Sequence, residues 1–344
     1  MLPSAPEGKS MSETRNLTTG VLHALRAPVV RATLSLVVVF ALGVIFNAGG
    51  AFLQWDTHRD MLRQVSVYGI LACGMTIVII AGGIDLAVGS ILGLTAVVFA
   101  LASIHWGWPA WQAAALALAT GAVCGGLAGG LIARFSIQPF IATLAMMVFA
   151  RGLAKFISGG QKISTAVQLP SGDYQYVEIP EIFNTLGSRL LGDNIAVVTL
   201  VLVLCLLLAW IFLARLRWGR YMYAIGGNEE ASWLSGVPVR TMKLLAYGLS
   251  GLFCGVAGIC QAGQELQGDP EAGATYELNA IAIVVIGGTS LRGGRGSIPL
   301  TFLGILTIGY LEKILSINAV GEESRLMLTG VIIIAAVLFQ KRTS

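Results

Sequence analysis

Along most of this chain apolar residues run on for about twenty positions at a time and then give way to a short polar connector. A bilayer core of about 30 Å needs roughly 20 helical residues, so each run is long enough for one crossing. Ten spans are expected, at 33–54, 64–82, 85–104, 110–133, 138–157, 194–214, 243–263, 278–290, 298–316 and 325–340. The eighth is short, which fits a broken or partly buried helix better than a lipid-facing one. Between Arg63 and His105 the only charged residue is Asp85, in the string AGGIDLAVGS. That stretch of 41 residues would make about 60 Å of helix, twice the bilayer core, so the chain must turn back inside it. Gly82 and Gly83 mark the turn. Asp85 is then either a cap on the exposed N–H groups of the third span or a group lining a polar pathway.

Composition agrees with this pattern. The 344 residues are 56% hydrophobic and 12% charged, with a mean hydropathy of +0.79. The expected fold class is therefore an all-α integral membrane protein, a bundle of about ten transmembrane helices. Residues 1–31 read as a polar cytoplasmic tail and 32–344 as the transmembrane domain. The 43 glycines suit close helix packing, and two regular seams stand out: Gly121, Gly125 and Gly129 on the fourth span, and Gly248, Gly251, Gly255 and Gly258 on the seventh.

An even number of spans puts both termini on one side. With the termini cytoplasmic, 14 of the 22 basic residues fall inside, as the positive-inside rule asks. Trp106, Trp108 and Trp111 then form an outer interfacial belt. Twelve acids lie outside, at Asp56, Asp60, Asp173, Glu178, Glu181, Asp193, Glu265, Asp269, Glu271, Glu277, Glu322 and Glu323, either as a solvated rim or as a landing surface for a partner. The basic residues form no stripe along a helix, so nucleic-acid binding lacks an electrostatic footprint. The five cysteines sit in apolar runs without a CxxC pair and read as packing residues.

Signatures of chemistry are absent. There is no GxxxxGK[ST] phosphate loop, no HExxH and no GxSxG, and the three histidines are far apart. No catalytic, cofactor or metal site is expected in this chain. The string IGGTSLRGGRGS at 286–297 shares Gly-Gly, a Leu three residues later and Gly-Ser with the stretch around Asp85; it reads as a second cytoplasmic turn. An ion-coupled transporter would need Asp85, Arg151 or Glu312 as the coupling group. Arg151 with Lys155, and Glu312 with Lys313, are expected to snorkel toward outer helix ends, which leaves Asp85 without an evident partner.

The long connector 214–243 carries a different signal. Asn228 is a good N-cap, Glu229 and Glu230 occupy the first turn where acids favour the helix dipole, and Gly236 with Pro238 ends the element. Trp233 and Leu234 on such a surface helix ask for a covering partner.

Four strings, AGGIDLAVGSILGLTAVV, QPFIATLAMM, AIGGNEEASWLSGVPV and GDPEAGATYELNAIAIVVIGGTSLRGGRGS, are similar to the membrane permease subunits of ATP-binding-cassette sugar importers, of the ribose/xylose/arabinose-type branched permease family. The resemblance extends over nearly the whole chain from about residue 60. It implies a subunit of a bacterial inner-membrane importer that pairs with a second permease copy or paralogue, docks on an ATPase subunit that binds the ATP, and receives sugar from a periplasmic binding protein. The connector resembles the family's coupling helix, with Asn228, Glu229, Glu230, Ala231, Trp233, Leu234 and Gly236 as its contact residues. A neutral polyol needs hydrogen bonds and no fixed charge, so Gly82, Gly83, Asp85, Ser90 and Gln138 are candidate gating or translocation residues.

Overall fold

A computed structural model describes residues 27–168 and 172–341. The predicted tail, residues 1–31, lies outside the described residues up to position 26. Each of the ten expected spans contains a helix. Eight are long and apolar enough to cross a membrane: α1 (Pro28–Ile45), α2 (Trp55–Ile80), α3 (Val88–Ala100, continued by a π-helical turn to His105), α4 (Ala110–Phe135), α5 (Pro139–Ser158), α7 (Val197–Arg215), α10 (Val239–Glu265) and α12 (Ile298–Ile317). Two more complete the set, the short α11 (Tyr276–Ile286) and α13 (Glu322–Lys341). The protein is a multi-pass membrane protein.

Consecutive spans alternate in direction, so the connectors gather at two ends. One end is basic and holds α8 (Arg217–Gly227), α9 (Glu229–Leu234) and the turn 287–297. The other is acidic and holds α6 (Glu181–Gly187) with two small antiparallel hairpins, β1 (Ala166–Gln168) with β2 (Tyr174–Tyr176) and β3 (Arg189–Leu190) with β4 (Ile195–Ala196). Trp106, Trp108 and Trp111 are exposed at the acidic end, where a belt was expected.

Boundaries differ from expectation in two places. The first span stops at Ile45, because Ala48, Gly49 and Gly50 all take left-handed backbone and break the helix. The second starts at Trp55, nine residues before the expected 64, with Asp56 in its first turn. Residues 56–63, mostly polar, read as a connector in the sequence. They remain helical because their charges find partners: Arg59 bridges Asp56 at 3.0 Å, and Asp60 meets Arg189 and Lys313.

The centre of the bundle is α2, α3 and α10, with α4 packed along α10. The two glycine seams read from the sequence face each other. A Cβ at Gly121 or Gly251 would fall on the other's carbonyl, and one at Gly125 would meet Gly251 nitrogen at 2.9 Å. Gly258 serves α3 instead, where a Cβ would strike Thr95, and Gly248 faces open space. Without water to release, this contact gains through dispersion and close backbone approach, which only small residues allow.

Two stretches inside the bundle are not helical. Residues 81–87 join α2 to α3. Ser250, which Asp85 reaches, lies against Gly74, six residues or about 9 Å before the end of α2. The chain thus turns at Gly82 and climbs back inside before α3 starts. The second stretch, 266–275, leaves α10 at the acidic end, pairs with Ile163 through Gly268 at 2.8 Å in both directions, and descends beside α3. Gly268 lies against Ala96 and Ala100, and Gly273 against Gly89. Hence α11 begins near the start of α3, which is why the eighth span is short.

The glycine seam yields a contrast. Gly125→Leu should separate α4 from α10 and destabilise by about 1–3 kcal/mol or more, whereas Gly126→Leu, with nothing within 4 Å of its Cβ position, should be tolerated. Thermal unfolding of the two purified variants in detergent checks this; equal melting temperatures would contradict it.

Candidate functional site

At the basic end the connector after α7 is two helices, not one. The run Gly219, Met222, Ile225, spaced by three, is buried and makes α8 amphipathic. That periodicity was visible in the connector and is the signal for a helix that the reading of 214–243 as a loop passed over. Gly226 and Gly227 form the end of α8, and the chain turns extended at Asn228 before the next helix.

The short helix α9 follows the expected design closely. Asn228 is its N-cap, and its Oδ1 accepts from the Ala231 N–H at 2.9 Å. Glu229 and Glu230 occupy the first turn, and Gly236, at φ +81°, ends it. Ser232 is buried against the body of the protein, so Trp233 at 66% and Leu234 at 72% exposure point away from it. Glu229 accepts from Lys243 Nζ at 2.6 Å, tying α9 to the second turn of α10. Ala231, Glu230 and Gly236 are exposed.

Three backbone segments meet at the end of α8, just before α9 starts. Gly294 N–H donates to the Ile80 carbonyl at 2.9 Å. A Cβ at Gly226 would land on that same carbonyl and on Gly294 nitrogen, and one at Gly293 would lie 2.9 Å from both Gly226 Cα and Gly82 Cα. Tyr223 on α8 donates to the Gly296 carbonyl at 2.9 Å. The two Gly-Gly strings that resemble each other in the sequence therefore touch, with the end of α8 packed against both. Gly82, Gly293 and Gly294 all have positive φ, a region L side chains rarely adopt.

From this junction the chain runs to Asp85. The carboxylate is buried, 1% exposed. Its Oδ1 accepts from the Ala87 N–H at 3.0 Å and its Oδ2 from Ser250 Oγ on α10 at 2.8 Å. Asp85 is not the side-chain cap of α3: it accepts from the N-cap residue Ala87 itself, which braces the turn before the helix, and its second partner, Ser250, could not be read from the sequence. Gly83 lies against the Tyr247 hydroxyl, also on α10. Gly82, Gly83 and Asp85 thus form one turn fastened to α10. Gln138 stands apart, exposed at the N-cap of α5.

Ser90 belongs to a different place. It lines an open cavity of about 440 Å³ together with Met147, Val148, Arg151, Gly152, Lys155, Ala274, Thr275 and Glu277. Arg151 does not snorkel to a helix end as expected. Its Nη1 donates to the carbonyls of Pro270 and, at 2.8 Å, Ala272. Lys155 pairs with Glu271 at 2.5 Å and Lys162 with Asp269 at 3.0 Å; the Asp269 carboxylate holds the Lys162 ammonium above its ordinary pKa. Basic residues on and after α5 clamp the descending stretch 266–275. Lys313 likewise turns inward, to Asp60, and is buried.

The comparisons with known proteins agree with this architecture. The family described as branched-chain amino acid transport system, permease component, matches residues 58–337. The chain belongs to this permease family. It is 37% identical over 315 residues to the ribose import permease protein RbsC of Escherichia coli K12, covering 91% of this chain and 93% of that protein. It is also 37% identical over 323 residues to the fructose import permease protein FrcC of Rhizobium meliloti, with 92% and 85% covered, and 31% identical over 375 residues to the xylose transport system permease protein XylH of E. coli K12, with 95% of each covered. No solved structure gives a significant match.

The glycine junction and the Asp85 anchor each give a measurement. Gly226→Ala should lower stability or yield, while Gly227→Ala, with nothing within 4 Å of its Cβ position, should not. Ser250→Ala removes one hydrogen bond from a buried carboxylate and should cost about 1.5–3 kcal/mol in thermal unfolding; no loss would mean that Asp85 is not held this way.

Proposed function

We propose that this chain is the permease subunit of a binding-protein-dependent ATP-binding-cassette importer that carries a sugar or sugar-like solute across the bacterial inner membrane. The observation that carries the reading is α9: a capped helix of six residues outside the bundle, presenting Trp233 and Leu234 to a partner. Family membership and the printed roles of relatives in ribose, fructose and xylose import support the solute class.

In this reading the basic end, with Arg215, Arg217, Arg220, Arg292 and Arg295, faces the cytoplasm, and both termini lie there. A separate ATPase subunit binds ATP and seats on α9, with Asn228 and Gly236 fixing the helix and Glu230, Ala231, Trp233 and Leu234 forming the contact. Glu229 has a narrower role than the family resemblance implies, since it is already paired with Lys243. ATP binding biases a bundle with two arrangements, which it can do only by contacting each differently.

The glycine junction offers the route by which that bias enters. Displacing α8 pushes on Ile80 and Gly294 together, and so on the turn carrying Gly82, Gly83 and Asp85. Asp85 and Ser250 then set where α3 sits relative to α10. A second permease subunit stands beside the open face of α5, and a periplasmic binding protein docks at the acidic end. That landing surface is smaller than the count of acids suggested, because Asp56, Asp60, Asp193, Asp269 and Glu271 are already in ion pairs within the chain.

Replacing Trp233 with Ala, or Glu230 with Lys, should leave the protein inserted at normal yield. Co-purification of the ATPase and ATP-dependent sugar uptake should each fall about tenfold, the equivalent of 1.4 kcal/mol. Unchanged co-purification and uptake would show that the ATPase docks elsewhere.

A further inference from the structure

The cavity between α3, α5 and the start of α11 has no part in the docking argument, yet its lining is unusual for a membrane protein. The outward residues of α5 are mostly apolar, with Phe140, Ile141, Leu144, Val148, Phe149 and Phe156 exposed. Arg151 and Lys155 interrupt that surface. An ionised side chain facing hydrocarbon is costly, and such groups turn instead to a protein interior or a water-filled space. Snorkelling does not resolve the case for Arg151. Its Nη1 lies beside Gly93 and Ala272, and α3 with its π-helical turn continues twelve residues beyond Gly93, about 18 Å, to His105 at the acidic end.

The backbone makes the same demand. The chain is non-helical at 81–87 and 266–275, and Gly89 and Gly273 touch where the helices that follow these stretches begin. Irregular backbone at membrane depth is tolerated where it is buried in protein or lines an aqueous cavity. Part of that debt is met by Arg151 on the carbonyls of Pro270 and Ala272. The remaining polar groups of the lining, Ser90, Thr275 and Glu277, border an open volume of about 440 Å³, within the range of roughly 300–1,000 Å³ usual for small-molecule sites.

We propose that this cavity is where a neutral polyhydroxylated solute of monosaccharide size is held on its way through, with Arg151, Glu277, Ser90 and Thr275 as its hydrogen-bonding groups. The inference rests on the import reading above for the nature of the solute. The wall is not free of charge as the sequence suggests, but its charges balance, which selects a neutral ligand: Lys155 is neutralised by Glu271, which leaves one guanidinium and one carboxylate. A carboxylate accepts from sugar hydroxyls and a guanidinium donates to sugar oxygens, while Met147 and Val148 offer apolar contact to the C–H face.

The test uses the complete importer in inside-out and right-side-out vesicles. All five native cysteines are buried, so single cysteines report cleanly. Gly152→Cys and Ala274→Cys, on the cavity wall, are compared with Val123→Cys on the exposed face of α4 for reaction with a membrane-impermeant thiosulfonate. Cavity positions should react at least tenfold faster than Val123→Cys from one side or the other. Equal, slow reaction at all three would mean that lipid or a sealed protein contact fills the space, and the proposal would fall.

In parallel, Glu277→Gln should lower uptake of D-ribose, D-xylose or D-fructose per ATP hydrolysed about tenfold. An unchanged ratio would also overturn the assignment. Should the unmodified importer carry none of these sugars in an ATP-dependent manner, the import reading would fail on its own. The thiol labelling would still decide whether the cavity is a hydrated passage.

Discussion

A peptide group in hydrocarbon has no water to fall back on, so every backbone N–H and C=O within the bilayer must find its partner in the protein. Eight long helices satisfy this by themselves. The two stretches that leave helical geometry, 81–87 and 266–275, cannot, and the rest of the molecule is arranged around their needs. Asp85 accepts from Ala87 and from Ser250, Gly294 donates to Ile80, Arg151 serves Pro270 and Ala272, and Gly268 pairs with Ile163. Arg151 in particular gives its Nη1 to main-chain carbonyls of the second stretch.

That role changes the meaning of several charged residues. Arg151, Lys155 and Lys162 resemble ordinary basic residues near the end of an apolar run, and Asp269 and Glu271 resemble an acidic rim. Brought together they form one clamp that holds a descending segment against α3. Asp60, Arg189 and Lys313 do the same for the start of α2, which explains why a helix persists through residues with so little apolar character.

What could be read from the sequence follows from the range over which each signal acts. Apolar runs and the glycine seams are local, and the seams at Gly121–Gly129 and Gly251–Gly255 meet in the structure as their spacing suggests. The cap at Asn228, the acids at Glu229 and Glu230 and the stop at Gly236 are local as well, and α9 has the expected bounds. Asp85 was legible as a polar group at the turn before α3, but Ser250 lies 165 residues away on another helix and leaves no mark near it. The depth reached by 266–275 was equally hidden, since its acids and glycines look like those of any exposed loop until Gly273 is set beside Gly89. Gln138 stood out for polarity alone, and it takes no share in either the turn or the cavity.

The contact among Gly82, Gly226 and Gly293–Gly294 has one more implication. Where side chains separate two elements, a small shift is absorbed by torsions that relax into neighbouring wells. Here main chain rests on main chain, with no rotamers in between to dissipate a displacement of a few tenths of an ångström. Such a joint has almost no slack. It also leaves little room for substitution, because a Cβ at Gly226, Gly293 or Gly294 would come within 3.0 Å of the main chain of another segment.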